Sequence, residues 1–287
     1  RSYIPATIVW ILKKIIKIKY IFDIRGFWFD EKKDAKLLNN FTYKILKNFE
    51  KNLFNEAEYI LTLSKKSIPY ITKHLKSKKD KVQFITCFTD TNKFKKSANS
   101  INKKLIFGYV GNVGLSYNFK KVLNFLKIFD RINSNWKLLF VNNYISLENK
   151  KKLFEKTNFR EKIIYLETKF SAIEKIYKKI NIGIYFLKKD FSKIASCPTK
   201  LGEMLSSGIP VITNSGIGDI ETYLNNEKKS GFIVDNLNEK NIQKINNFIF
   251  KKKNYRNLKI NARLNAKKYF EKNKNITIYK NIYKKLT

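Results

Sequence analysis

Histidine is almost missing from this chain: His74 is the only one among 287 residues. That excludes a metal site built on histidines and a Ser-His-Asp triad within the chain. His74 itself falls on a polar helix and is expected at the surface. Cysteine is nearly as scarce. Cys87 and Cys197 lie far apart, with no second metal-binding cysteine beside either, which argues against a disulfide framework and against a zinc site. No D-x-D pair of aspartates occurs, so a Mg²⁺ or Mn²⁺ held in that way is not expected. Only ten glycines and four prolines stand against 43% hydrophobic residues, a globular balance and not a disordered one. Long apolar runs are lacking too. Residues 4–18 are interrupted by Lys13, Lys14 and Lys17, too short and too charged to cross a bilayer, and there is no secretory signal pattern. The first residue is Arg1, and the sequence is patterned for structure at once, as in a piece of a longer protein.

Acidic residues are few, 23 against 60 lysines and arginines, which gives a net charge of +37. Such an excess ordinarily points to nucleic acid or an anionic membrane. The lysines are spread over the whole chain and not gathered on one face, so a nucleic-acid partner is not expected. The field still favours anionic lipid surfaces and anionic substrates.

One stretch organises the rest: SCPTKLGEMLSSGIPVITNSGIGDIE, from Ser196 to Glu221. Pro198 opens a short helix, Gly208 closes it, a buried strand spans 209–213, and a glycine loop follows. The amides of Thr199 and Lys200 open the helix, where the dipole favours an anion, and Lys200 adds a full positive charge. Glu203 shares the helix face of Lys200, while Leu201 and Leu205 turn to the core. A carboxylate that accepts two hydroxyls beside an ammonium and unpaired amides suits a nucleotide, with Glu203 at the ribose and Lys200 at the phosphates. An exposed i,i+3 ion pair fits the same spacing. The loop Gly216-Ile217-Gly218-Asp219, directly after the next strand, favours the nucleotide, because phosphate clefts of α/β sheets form at strand C-terminal ends.

The chain predicts two α/β units, 1–97 and 98–287, joined by a polar linker over 95–104. In the first, a helix over 6–17 precedes a strand at 20–23, an aromatic and acidic loop at 27–31, a long helix over 33–54, and strands at 59–64 and 82–85. Asp23 and Arg25, at the end of the first strand, either orient or deprotonate a hydroxyl substrate or form a structural ion pair; Glu31 is a candidate for the same cleft. The second unit predicts strands at 105–110, 137–141, 163–166, 182–186, 209–213 and 231–234 with helices between them, hence a parallel, doubly wound sheet. Its first strand ends in Gly111-Asn112-Val113-Gly114, a turn able to approach a diphosphate. Helices over 146–157 and 171–180 lie between strands, and the chain ends in Lys-rich helices.

The stretch from Ser196 to Glu221 resembles the signature of family-4 glycosyltransferases of the GT-B fold, in the subgroup carrying S-x-P-T-K-x-x-E. DIRGFWFDE, EYILTLS, TDTNKF, YVGNVG and SGFIVD follow in the matching order. The resemblance implies two Rossmann-like domains flanking a cleft, the first one partial, with Arg1 in mid-domain. It implies transfer of a sugar from a nucleotide diphosphate donor to an acceptor hydroxyl, with retention and without a metal or other cofactor. It places Gly111, Asn112, Ser196, Thr199, Lys200, Glu203, Gly216 and Gly218 at the donor, and Asp23, Arg25 and Lys200 at the chemistry. Glu203 corresponds to the second glutamate of the family's E-x7-E pair, and Ala195 stands where the first belongs. Asn112 occupies the position of a usual arginine, which leaves Lys200, or Lys120 and Lys121, to neutralise the leaving group. A glycan or lipid-linked acceptor, surface-polysaccharide synthesis and a cytoplasmic place at the inner face of the plasma membrane follow by analogy. The alternatives are a nucleotide-sugar epimerase on the same scaffold and a non-catalytic basic anion-binding module.

Overall fold

Apolar runs bounded by polar turns form two separate parallel sheets, and the amphipathic stretches between them form the crossovers. The structure, a computed structural model, describes every residue except 1, 77, 78, 96–100, 102, 103, 115, 226 and 287. Arg1, the expected boundary at 97/98 and most of the 95–104 linker therefore lie outside the described residues.

The first unit runs α1 (Tyr3–Ile15), β1 (Ile21–Ile24), α2 (Trp28–Asp34), α3 (Asn40–Glu56), β2 (Tyr59–Thr62), α4 (Ile68–Lys73) and β3 (Val82–Phe84). The strands pair in the order β1-β2-β3, with Ile21 opposite Tyr59 and Ile60 opposite Val82. Alternate residues Phe22, Ile24 and Ile60 point into a core with Phe54 and Tyr3, whose ring meets Phe22 edge-on at 5.2 Å. Two expectations fail here. The aromatic, acidic loop at 27–31 is instead α2, whose first-turn Asp30 and Glu31 suit a helix N-terminus. The single helix over 33–54 is broken between α2 and α3, where Lys36 takes a left-handed φ of 59° and the Asn39 side chain caps α3 by accepting from the Thr42 amide at 2.8 Å. His74 is half-buried, with Nδ1 2.8 Å from the Tyr70 carbonyl.

The second unit contains β4 (Leu105–Val110), α5 (Phe119–Ile132), β5 (Trp136–Val141), α6 (Leu147–Lys152), β6 (Ile163–Leu166), α7 (Ile173–Tyr177), β7 (Ile182–Ile184), α8 (Thr199–Ser206), β8 (Val211–Thr213), α9 (Ile220–Asn225) and β9 (Gly231–Ile233). All pairs are parallel, in the order β6-β5-β4-β7-β8-β9. The order reverses at β4 and β7, which is where open α/β sheets make their ligand crevice. α5 covers the sheet with Phe119, Val122, Phe125, Leu126 and Phe129, all at helical spacing and buried. Helices expected over 146–157 and 171–180 shorten to α6 and α7.

Helices α10 (Glu239–Phe250), α11 (Lys252–Tyr269) and α12 (Lys272–Leu286) end the chain. α11 packs under α8, and α12 returns to the first sheet, where Ile282 joins Leu61 and Ile85 in a small core. Among the described residues no helix is long and apolar enough to cross a membrane.

Candidate functional site

At the end of β4 the chain turns at Gly111, whose φ of +124° disfavours any side chain. Space forbids one as well. A Cβ here would lie 1.8 Å from Nζ of Lys200, so the lysine head rests on bare backbone. The Gly111 amide bonds the Val141 carbonyl at 2.8 Å, and its own carbonyl accepts from the buried Asn142 side chain at 2.7 Å. Oδ1 of Asn142 accepts from the Tyr144 amide at 2.8 Å, so one buried amide fixes both strand-end turns.

α8 faces this turn. Its buried side carries Leu201, Met204 and Leu205, and no side chain caps its first turn. Val110, Gly111, Val141, Asn143, Tyr144, Thr168, Phe170, Ile173, Thr199, Lys200 and Glu203 line a cavity of about 260 Å³. Glu203 is only 5% exposed and accepts from the hydroxyl of Tyr177 on α7 at 2.7 Å. Burial raises its pKa, against the opposing pull of Tyr177, Lys200 and Lys93. Burial likewise lowers the pKa of Lys200, and the Glu203 charge opposes that fall. Tyr144 and Phe170, 68% and 67% exposed, stand at the rim as unpacked aromatic faces. Lys93 reaches over the Phe170 ring at 4.7 Å. Asn143 and Thr168 close the rim between them with hydrogen bonds of 2.6 and 3.1 Å.

Of the residues singled out in the sequence, Gly111, Thr199, Lys200 and Glu203 meet around this one cavity. Asn112 does not: its exposed side chain folds back to the Gly114 amide at 2.9 Å and closes the turn. Ser196 lies under the loop after β8, with its carbonyl against Gly218. That loop is the main correction. The Gly216 amide donates to Glu221 at 2.9 Å and the Gly218 amide to the Lys193 carbonyl at 2.9 Å, so neither is open to a diphosphate. The loop joins the two units instead. Asp219 accepts from the Lys65 amide at 2.7 Å and from the Lys66 amide and Ser64 hydroxyl at 3.2 Å each, and Glu221 pairs with Lys66 at 2.7 Å. Asp219 thus meets the exposed amides of a helix start, a favourable place for a carboxylate. Lys121 is also committed elsewhere, donating to the Asp235 carbonyl at 2.7 Å.

Asp23 and Arg25 lie outside the cavity, on the first unit. Asp23 accepts from Tyr279 of α12 at 2.9 Å and sits 4.0 Å from Arg25. Glu31 crosses between units to Lys193, a lysine 3% exposed, at 2.5 Å. Arg25 Nη2 approaches Cys87 Sγ at 3.3 Å. Sequence reasoning missed Tyr144, Phe170, Lys93 and Tyr177. For the first two a signal existed, since both follow directly on strands whose C-terminal ends share one edge of the sheet.

The family profile described as "Glycosyl transferases group 1" matches residues 90–265. The chain belongs to the group 1 glycosyltransferases. The match covers β4 to α11, the unit that builds the cavity. The likeness of folds extends over both units of this glycosyltransferase. Sucrose-phosphate synthase from Thermosynechococcus elongatus superposes with a TM-score of 0.78 at 15% identity, over 99% of this chain and 72% of that one. Anabaena HepE in complex with UDP-glucose gives 0.73 at 12% identity, over 98% and 75%. A glycosyltransferase from Rickettsia africae gives 0.73 at 17% identity, over 100% and 75%. No curated protein sequence matches significantly. The GT-B class and the glycosyltransferase activity expected from the sequence are those of this family and fold.

Proposed function

We propose that the cavity between the β4 turn and α8 binds a nucleotide-diphosphate sugar and that the first unit, residues 1–97, presents the acceptor. The observation that carries this reading is the convergence of Lys200 and Glu203 on one cavity, with the lysine head against the Gly111 backbone. Lys200 and the first-turn amides of α8 take the diphosphate, while Glu203, held by Tyr177, takes the ribose hydroxyls. Tyr144 and Phe170 offer faces for the base. As the bond from anomeric carbon to diphosphate oxygen breaks, negative charge grows on the departing phosphate. A half-buried ammonium held against the Gly111 backbone stabilises it with little reorganisation. The acceptor hydroxyl arrives from the side of Asp23 and Arg25, and transfer proceeds with retention and without a metal. The acceptor is a glycan or a lipid-linked sugar of surface-polysaccharide synthesis. The net charge of +37 favours work at the anionic inner face of the plasma membrane.

Calorimetric titration with UDP, GDP, ADP and dTDP tests the site. Lys200→Ala is expected to weaken the best of these by about 10- to 150-fold, the value of a hydrogen bond to a charged group at about 1.5–3 kcal/mol. Unchanged affinity in a variant of unchanged Tm refutes the assignment. Conversion of a nucleotide sugar to its epimer without any acceptor points to the epimerase instead.

A further inference from the structure

On α1 the apolar stripe faces outward. Ile4, Ile8, Ile11 and Ile15 recur at the spacing of one helical face, a pattern that ordinarily turns to a core. Here all four, with Leu12 and Ile16, are between 41% and 77% exposed. The helix is held to the first unit by its other side, through buried Tyr3 and Ala6 and half-buried Val9 and Trp10. Phe41 and Ile45 of α3, also exposed, continue the line of Phe49, whose ring meets Trp10 edge-on at 5.2 Å. Single apolar side chains at a surface need no partner, but a patterned group of this size marks an interaction site.

The charge around the stripe has one sign. No acidic residue occurs before Asp23. Glu56 and Glu58, at the end of α3, are matched by Lys14 at 2.8 Å and Lys13 at 3.5 Å. Beyond the helix Lys17 and Lys19 are exposed, and Lys19 donates to the Leu286 carbonyl at 2.8 Å. That bond brings the end of α12, with exposed Tyr283, Lys284 and Lys285, beside the end of the stripe. We propose that α1 is a lipid-docking helix, which lies in the plane of an anionic bilayer with its isoleucines at the acyl boundary and these lysines among the headgroups. Lysine stems reach along apolar surface while their charged ends stay in water, and anionic lipid complements them. A second copy of the chain fits the face poorly, because two-fold packing of the stripe on itself gathers like charges at one interface. The choice of lipid as partner rests on the membrane location proposed above; the outward stripe does not. Docking through α1 sets the first unit, on the acceptor side, against the bilayer.

The test spins the whole chain with vesicles of phosphatidylcholine alone and of phosphatidylcholine mixed with phosphatidylglycerol. Wild type is expected to sediment with the mixed vesicles and to stay in solution with the others. Ile8→Ser/Ile15→Ser is expected to weaken vesicle binding by about tenfold or more, because interfacial affinity follows the apolar area buried. Its Tm and its nucleoside diphosphate affinity should match wild type, since both side chains are exposed and outside the donor cavity. Lys17→Gln/Lys285→Gln is expected to weaken binding several-fold at low salt and little at high salt. Equal sedimentation of wild type and the isoleucine variant overturns the role of α1 while leaving the membrane location standing. No sedimentation of wild type with either vesicle overturns both, and calorimetry with nucleoside diphosphate then judges the donor site on its own. A dimer of wild type in analytical ultracentrifugation that the isoleucine variant loses assigns the face to a second copy and overturns the lipid.

Discussion

Two glycine turns at strand ends look alike in the sequence and differ in the fold. The turn after β4 keeps a bare backbone against Lys200 at the cavity, whereas the loop after β8 has its Gly216 and Gly218 amides engaged by Glu221 and Lys193. Glycine supplies close approach in both. What approaches is a cavity-lining lysine in the first and the chain's own backbone in the second. Alanine at each position separates the two roles, and the larger effect belongs to Gly218. A Cβ there meets the Ser196 carbonyl oxygen at 2.0 Å, an atom that cannot swing aside, at a φ of +45°. Gly218→Ala is expected to cost about 2–4 kcal/mol of stability, from overpacking and backbone strain together. That lowers Tm by several degrees, while the folded fraction keeps its affinity for nucleoside diphosphate. In Gly111→Ala the Cβ displaces a flexible lysine head, so affinity falls by tenfold or more with the smaller loss of Tm. If both variants lose affinity equally while folded, the two turns do not differ in role.

Acidity sharpens the same contrast through Lys200. Its pKa lies below the ordinary 10.5 because burial disfavours the charged form. Nucleoside diphosphate affinity is therefore expected to fall as pH rises through that lowered pKa, when the ammonium is lost. Stability moves the other way. Between the folded and unfolded pKa values the unfolded chain binds more protons, so the Lys200 contribution to folding rises with pH across that window. Titration of affinity and of urea stability from neutral pH upward, in wild type and Lys200→Met, checks both signs. A wild-type affinity profile parallel to that of Lys200→Met removes the lysine from the donor site.

The alternating strands, the parallel order and the Lys200, Glu203 and Gly111 cluster were legible because each follows from short-range rules: apolar runs, helical spacing, and glycine after a strand. The break between α2 and α3 had a local signal as well, in Asn39 as a helix cap, but an uninterrupted helical pattern obscured it. What was not legible is what depends on contacts between remote segments. Asp219 reaches the Lys65 amide and Lys193 reaches Glu31 only because the two units are pressed together. A glycine pattern indicates where backbone comes close, not which acceptor its amides find. For that reason the β8 loop was read as a phosphate cradle when it is a clasp. Tyr144 and Phe170 escaped notice because an exposed aromatic after a strand has no spacing rule attached to it.

The smallest expected effect lies on the cavity side of the comparison, at Glu203. Burial raises its pKa, so the folded chain holds this proton more firmly than the unfolded one. The stability linked to that proton is complete below the unfolded pKa and is lost as pH rises through the folded value. At neutral pH the buried carboxylate is thus a liability to folding, kept in check by the Tyr177 hydroxyl and the Lys200 charge. Glu203→Gln keeps an acceptor for Tyr177 and removes the charge, so at pH 7 it is expected to fold as well as wild type or better, by less than about 1 kcal/mol. Between pH 4 and 7 its urea midpoint should vary less than that of wild type. Nucleoside diphosphate affinity should fall several-fold, since an amide accepts ribose hydroxyls more weakly than a carboxylate. A loss of stability with unchanged affinity instead makes Glu203 a structural partner of Lys200 and Tyr177, and leaves the donor site with the lysine and the Gly111 turn alone.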